Sequence, residues 1–134
     1  MSWSLNLLID GPASLDALAR ELNLLLVIAL GQEERHEGTK AAYSNNEFTD
    51  NREYFFLSLV DEHGLENDRD MNFEDFAYEL NITRKNSCDP NMAEQKCFEF
   101  ARLAFDTLKK TGKYRLMLTE NVQSKLDSFD PLYL

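Results

Sequence analysis

The sequence predicts an α+β fold in which two main helices pack on a mostly antiparallel sheet, in the element order β-α-β-β-β-α-β. Residues Phe76–Thr83 alternate apolar and polar side chains, which is typical of a strand with one buried and one wet face. The segment Tyr54–Val60 is apolar at nearly every position, which indicates a strand covered on both faces. Asp89 followed by Pro90 predicts a helix start, because the acid caps the helix and proline fits its first position.

The first third of the chain predicts a strand followed by a helix. Trp3–Ile9 is rich in apolar residues and ends at an Asp-Gly-Pro turn, and Ser14 then offers an N-cap. Apolar residues at helical spacing predict a helix from there to Leu30. The stretch Leu24–Leu30 is apolar all round, so a strand is the competing interpretation for it.

The second helix is expected to run over Pro90–Lys110, because Gly112 then supplies a C-terminal stop. A short strand is predicted around Thr39–Tyr43 and a final one over Tyr114–Thr119. Val122–Phe129 has no clear period and is interpreted as a short terminal helix or coil.

Length and composition predict a single domain spanning residues 1–134, with a core that needs neither disulfide nor metal. The net charge of −10 repels phosphate, so direct binding to nucleic acid or to an anionic membrane is not expected. Cys88 and Cys97 are expected to be free thiols, as in a reducing cytosol. A cytoplasmic location also follows because the N-terminus lacks a basic leader and no apolar run reaches the length of a membrane span.

The negative charge is concentrated in the middle of the chain. Residues 31–75 carry thirteen acidic and four basic side chains, a net charge of −9. One interpretation is simple solubility, and the other is a surface that steers a basic partner. The second predicts a partner-binding surface formed by Glu47, Asp50, Glu53, Asp61, Glu62, Glu66, Asp68, Asp70, Phe73, Glu74 and Asp75.

Apolar residues lie among these acids and could anchor a partner: Tyr54, Leu65, Met71 and Phe73. The alternative is that Met71 and Phe73 pack into the core while the acids are only solvated. The sequence leaves both interpretations open.

No catalytic residue, metal ligand or cofactor site is assigned. Asp68, Asp70 and Asn72 follow the spacing of a calcium loop that would end at Glu79, but Phe73 occupies the position that requires glycine. His36 and His63 lie in polar segments without Cys or His at ligand spacing. The alternative function is a small-ligand or metal-dependent enzyme that uses one of these histidines with a nearby carboxylate.

Two segments resemble bacterial immunity proteins of contact-dependent growth inhibition and related polymorphic toxin systems. They are FFLSLVDEHGLENDRDMNFEDFAYEL, residues 55–80, and FEFARLAFDTLKKTGKYRLMLTENVQSKLDSF, residues 98–129. The resemblance implies a cytosolic, non-enzymatic inhibitor that binds a cognate toxin domain, often a nuclease with a basic active-site cleft. It transfers no binding residue. A homodimer formed through the apolar Leu24–Leu30 stretch is a third expectation.

Overall fold

One antiparallel sheet carries two helices on the same face. In a computed structural model of the chain, residues 3–28, 30–32, 42–44, 54–85 and 89–131 are described. The strands of this part are β1 (Ser4–Asp10), β2 (Gly31–Gln32), β3 (Ala42–Ser44), β4 (Phe55–Val60), β5 (Tyr78–Arg84), β6 (Arg115–Glu120) and β7 (Ser124–Phe129). Their order across the sheet is β2-β3-β4-β5-β1-β6-β7. The predicted fold class is confirmed, and β2 and β7 extend the sheet at its two edges.

Both helices begin where the sequence predicts. Helix α1 spans Leu15–Leu26, and its first turn is capped by the Ser14 side chain, which accepts a hydrogen bond from the Ala17 N–H. Helix α2 spans Pro90–Thr111, with Asp89 capping its start and Gly112 in the left-handed conformation after its end.

Helix α1 ends four residues before the predicted Leu30. Val27 adopts the left-handed conformation, with φ of 53°, and breaks the helical hydrogen-bond pattern. The Asn23 side chain then binds the backbone of Leu30 twice, accepting from its N–H at 2.8 Å and donating to its carbonyl at 3.2 Å. These two hydrogen bonds fix the chain after the helix, where Ile28 and Leu30 are buried in the core. Leu24 and Val27 point outward and are 79% and 84% exposed. In the all-round apolar stretch, Leu24–Leu26 therefore form the end of the helix, and the described residues Val27, Ile28 and Leu30 lie beyond it.

The two faces of the sheet have different chemistry. We call the face under the helices the covered face and the opposite one the open face. Side chains alternate between them along each strand, as strand geometry requires. On β1, Leu5, Leu7 and Ile9 belong to the main core between the sheet and the helices, whereas Asn6 and Leu8 lie on the open face.

The central strands depart from the sequence prediction in one respect each. β4 was expected to be covered on both faces, but Phe56 on the open face is 41% exposed. β5 begins at Tyr78, so the predicted alternation holds for Tyr78, Leu80 and Ile82, which enter the main core. Phe76 precedes the strand and packs in a separate cluster on the open face.

The C-terminal segment is a strand, so the prediction of a helix or coil over Val122–Phe129 is wrong. β6 and β7 form a hairpin whose turn is closed by a hydrogen bond from the Gln123 N–H to the Glu120 carbonyl. Asn121 and Val122 at the turn centre both have positive φ, where hairpins usually take Asn-Gly. Valine is not a residue that predicts a turn, so the sequence does not indicate the hairpin. Of the short strand predicted at Thr39–Tyr43, residues 39–41 lie outside the described part, and β3 includes Tyr43.

Candidate partner-binding surface

The acidic loop, residues 61–75 between β4 and β5, lies on the open face of the sheet. Met71, Phe73 and Phe76 are almost completely buried there and pack in one cluster with Leu8 of β1 and Met117 of β6. Leu8 and Met117 pair across the sheet and point away from the helices. The loop is therefore fixed against the sheet by an apolar cluster of its own, separate from the main core.

Hydrogen bonds within the loop fix its outer turn. Asn67 and Glu74 bind reciprocally: each backbone N–H donates to the other's side chain, at 3.2 and 2.9 Å. Asp68 and Met71 exchange two backbone hydrogen bonds of 2.9 and 2.8 Å, which close a tight turn. Arg69 in this turn has φ of 55°, a conformation that favours glycine. These hydrogen bonds restrain the loop, and a loop that is restrained before binding loses less entropy on binding.

His63 is part of this framework. Its Nδ1 accepts a hydrogen bond from the Leu65 N–H at 2.9 Å, so the proton lies on Nε2, which donates to the Phe76 carbonyl at 2.7 Å. Both ring nitrogens are thus committed to the backbone on the two sides of the loop. This geometry gives His63 a structural role and leaves no nitrogen for a substrate.

Seven acidic side chains line the acidic loop. Asp61 is half-buried, and the other six are exposed: Glu62, Glu66, Asp68, Asp70, Glu74 and Asp75. The basic Arg69 is exposed in the same turn, and Lys125 of β7 donates to the Asp70 carbonyl at 3.1 Å, with its carboxylate 3.7 Å away. One lysine tethers the loop to the sheet edge, and the surface keeps a strong negative excess.

Two of the four predicted apolar anchors, Met71 and Phe73, are not available to a partner. Met71 and Phe73 are 1% and 2% exposed, so the alternative that they pack into the core is the correct one. Phe73 is thereby corrected from a contact residue to a residue that positions the loop. Tyr54 and Leu65 are half-buried against the main core and the open-face cluster. Glu47, Asp50, Glu53 and His36 lie outside the described residues.

The residues that follow the calcium-loop spacing do not lie in one loop. Asp68 and Asp70 lie in the outer turn and the Asn72 side chain donates to Asp75 at 2.8 Å, whereas Glu79 lies within strand β5. Across the described ranges, no group of three or more His, Cys, Asp or Glu side chains is arranged to hold a metal ion.

A polar network next to the acidic loop was not anticipated from the sequence. Glu79, predicted on the wet face of its strand, is only 8% exposed, and Asn6 and Thr119 beside it are also buried. The Asn6 side chain donates to Glu79 at 2.9 Å and accepts from the Val122 N–H at 3.1 Å. The only sequence signal was a carboxylate in the middle of a hydrophobic strand, which alternation alone assigns to solvent.

Comparison of the chain with protein-family models, with curated proteins and with solved structures finds no match. Within the described residues, no helix is long and apolar enough to cross a membrane.

Proposed function

We propose that this protein is a cytoplasmic immunity-type inhibitor that binds and neutralises a cognate toxin domain through the acidic loop. The observation that carries the proposal is the loop itself, which presents six exposed carboxylates on a turn fixed by apolar packing and by its own hydrogen bonds. A partner with a basic cleft, such as a nuclease, is the complementary class, because clustered carboxylates steer and orient cationic surfaces. The resemblance of residues 55–80 and 98–129 to immunity proteins supports the same function.

The enzyme alternative is weakened by the position of His63. Its two nitrogens bind backbone groups at opposite sides of the acidic loop, so proton transfer by this ring would disrupt the loop. His36 lies outside the described residues, so the geometry of His63 does not bear on an enzyme that would use His36.

The experiment that tests the function is affinity capture from host lysate at low salt with three matched baits. The first is the native protein, and the second carries Asp68→Asn, Asp70→Asn and Glu74→Gln. The third removes three charges from helix α2, on the other side of the sheet, by Glu94→Gln, Glu99→Gln and Asp106→Asn. Both variants have a net charge of −7 instead of −10, so they are matched in net charge and lose it on opposite sides of the sheet.

The proposal predicts that a basic polypeptide is retained by the native and α2 baits and much less by the acidic-loop bait. The purified partner should be toxic or nucleolytic, and the native protein should inhibit it at a one-to-one ratio. Equal retention by all three baits, or no inhibition of the captured protein, would contradict the proposal.

Self-association is a second candidate, favoured by one observation. Leu24, Leu25 and Val27 form an exposed apolar tip at the end of helix α1, with exposures of 79%, 44% and 84%. Native mass at micromolar concentration tests it, with Leu24→Gln as the variant that should dissociate a dimer. A monomer at that concentration removes this candidate.

A further inference from the structure

Glu79 is the most buried carboxylate among the described residues, and it lies on the open face beside the acidic loop. It is located near the middle of the sheet, opposite Leu8 of β1 and Val60 of β4. Only 8% of the residue is exposed, although it points away from the helix-covered core. A carboxylate in such a position requires compensation, because burial removes its hydration.

The hydrogen bonds around Glu79 converge on one of its two oxygens. Asn6 Nδ2 donates to Oε2 at 2.9 Å and Asn81 Nδ2 donates to the same oxygen at 3.5 Å. The Thr83 hydroxyl in turn donates to Asn81 Oδ1 at 3.2 Å, which fixes the orientation of that amide. In the described part of the chain, no donor reaches Oε1.

No lysine, arginine or histidine of the described ranges forms an ion pair with Glu79. Two basic side chains on this side of the sheet interact with other groups, since Lys125 lies beside Asp70 and Lys85 lies 4.9 Å from the centre of the Phe56 ring. Buried carboxylates are normally paired with a cation. Among the described residues, Glu79 is held by two amide groups instead.

We propose that Glu79 receives an arginine side chain of the basic partner protein. This inference rests on the proposed function and specifies its site. The acidic loop lies on the same face and attracts a cationic surface, while Glu79 offers a partly desolvated carboxylate whose Oε1 receives no donor from the described residues. A guanidinium fits because its planar donors can bind Oε1 and the remaining lone pair of Asn81 Oδ1 together.

The first test uses the isolated protein and the isosteric variant Glu79→Gln. If the carboxylate is kept for binding and not for stability, the melting temperature of the variant is unchanged or higher. A fall of more than about 4 °C, which is roughly 1 kcal/mol for a domain of this size, would show that the carboxylate is structural and would overturn the inference.

The second test uses acetyl-arginine amide as the probe and its neutral isostere acetyl-citrulline amide as the control. The arginine compound should shift the side-chain amide NMR signals of Asn6 and Asn81, the citrulline compound should not, and Glu79→Gln should abolish the shifts. Absence of these shifts, or equal shifts with both compounds, would overturn the inference even if no protein partner is ever captured.

The third test measures partner affinity and separates the two proposals. Glu79→Gln should weaken binding by about tenfold or more, because an interfacial charge pair is lost from a desolvated position. Unchanged affinity with an intact partner interaction overturns the arginine site and leaves the inhibitor function standing. Binding that is insensitive to the acidic-loop variant contradicts the function itself.

Discussion

The two faces of the sheet are used differently, although the same strands supply both. On the covered face, twenty-four of the described residues form one buried apolar cluster with the helices, whereas the open-face cluster has five. The open face therefore contributes little to the core, and much of its area carries polar side chains or the acidic loop. Among the described residues, the buried apolar packing that stabilises the fold therefore lies mainly on one face, and the exposed charge of the acidic loop lies on the other.

The largest effect that this comparison predicts is on the covered face. Phe105 of helix α2 is 1% exposed in the main core, and Phe105→Ala should lower the free energy of unfolding by about 4 kcal/mol through lost burial and a cavity. Leu103 on the same helix is 53% exposed, so Leu103→Ala should change stability by less than about 0.5 kcal/mol. Urea unfolding measures both. Similar losses in the two variants would contradict the assignment of the core.

A smaller loss is expected on the open face. Phe73→Ala should lower the free energy of unfolding by about 3 kcal/mol, near the lower end for a buried phenylalanine, because the surrounding cluster is small. It should also increase hydrogen exchange at the amides of Leu65 and Met71 without affecting helix α2. Phe56→Ala is the matched control, since this phenylalanine lies on the same face but is 41% exposed. Uniform exchange throughout the protein in Phe73→Ala would show that the loop has no separate anchor.

On the covered side of the sheet, Glu21 near the middle of α1 is expected to make a pH-dependent contribution to stability. Burial raises the pKa of Glu21, but hydrogen bonds from Lys113 and Tyr114 outweigh burial and hold the pKa below its ordinary value of 4.5. The stability from Glu21 is therefore present above about pH 4.5 and is lost as the pH falls through the folded-state pKa. Glu21→Gln should cost about 1 kcal/mol at pH 7, since the pair is partly exposed, and less at pH 3. If the destabilisation caused by Glu21→Gln were larger at pH 3 than at pH 7, the predicted direction of the pH dependence would be wrong.

A last predicted effect is kinetic and concerns access to the main core. Burial raises the pKa of the Cys97 thiol to about 11, and the residue is fully buried on the inner face of helix α2. Alkylation of Cys97 by iodoacetamide at pH 8 should be roughly a hundredfold slower in the folded than in the unfolded protein, because thiolate is scarce. Peptide mapping distinguishes Cys97 from Cys88. Rapid labelling of Cys97 in the folded protein would show that the covered face opens readily.

The covered face was largely predictable from the sequence because its signals are local and periodic. The apolar period of two in β5, the cap at Ser14 and the Asp89-Pro90 start each follow from short-range chemistry, and each is observed. The exact end of α1 was not predictable, because it depends on the Asn23 side chain binding Leu30 seven residues later.

The open face was predicted less well because its features arise from contacts between distant segments. Phe73 is buried only because the loop folds back on Leu8 and Met117, which the local sequence does not encode. Glu79 is buried through Asn6, seventy-three residues away. The acidity of the loop is evident from its sequence, whereas the packing of the loop against the sheet cannot be predicted from it.

The most direct test of the central claim is the salt dependence of partner affinity for the native protein and the two charge variants. Dissociation constants would be measured by titration calorimetry between 50 and about 500 mM NaCl, a range over which screening of exposed charges increases strongly. The account predicts a steep loss of affinity with salt for the native and α2-variant proteins. For the variant with Asp68→Asn, Asp70→Asn and Glu74→Gln, it predicts weaker binding with a shallower slope. Identical slopes for all three proteins would place the interaction elsewhere and contradict the role assigned to the acidic loop.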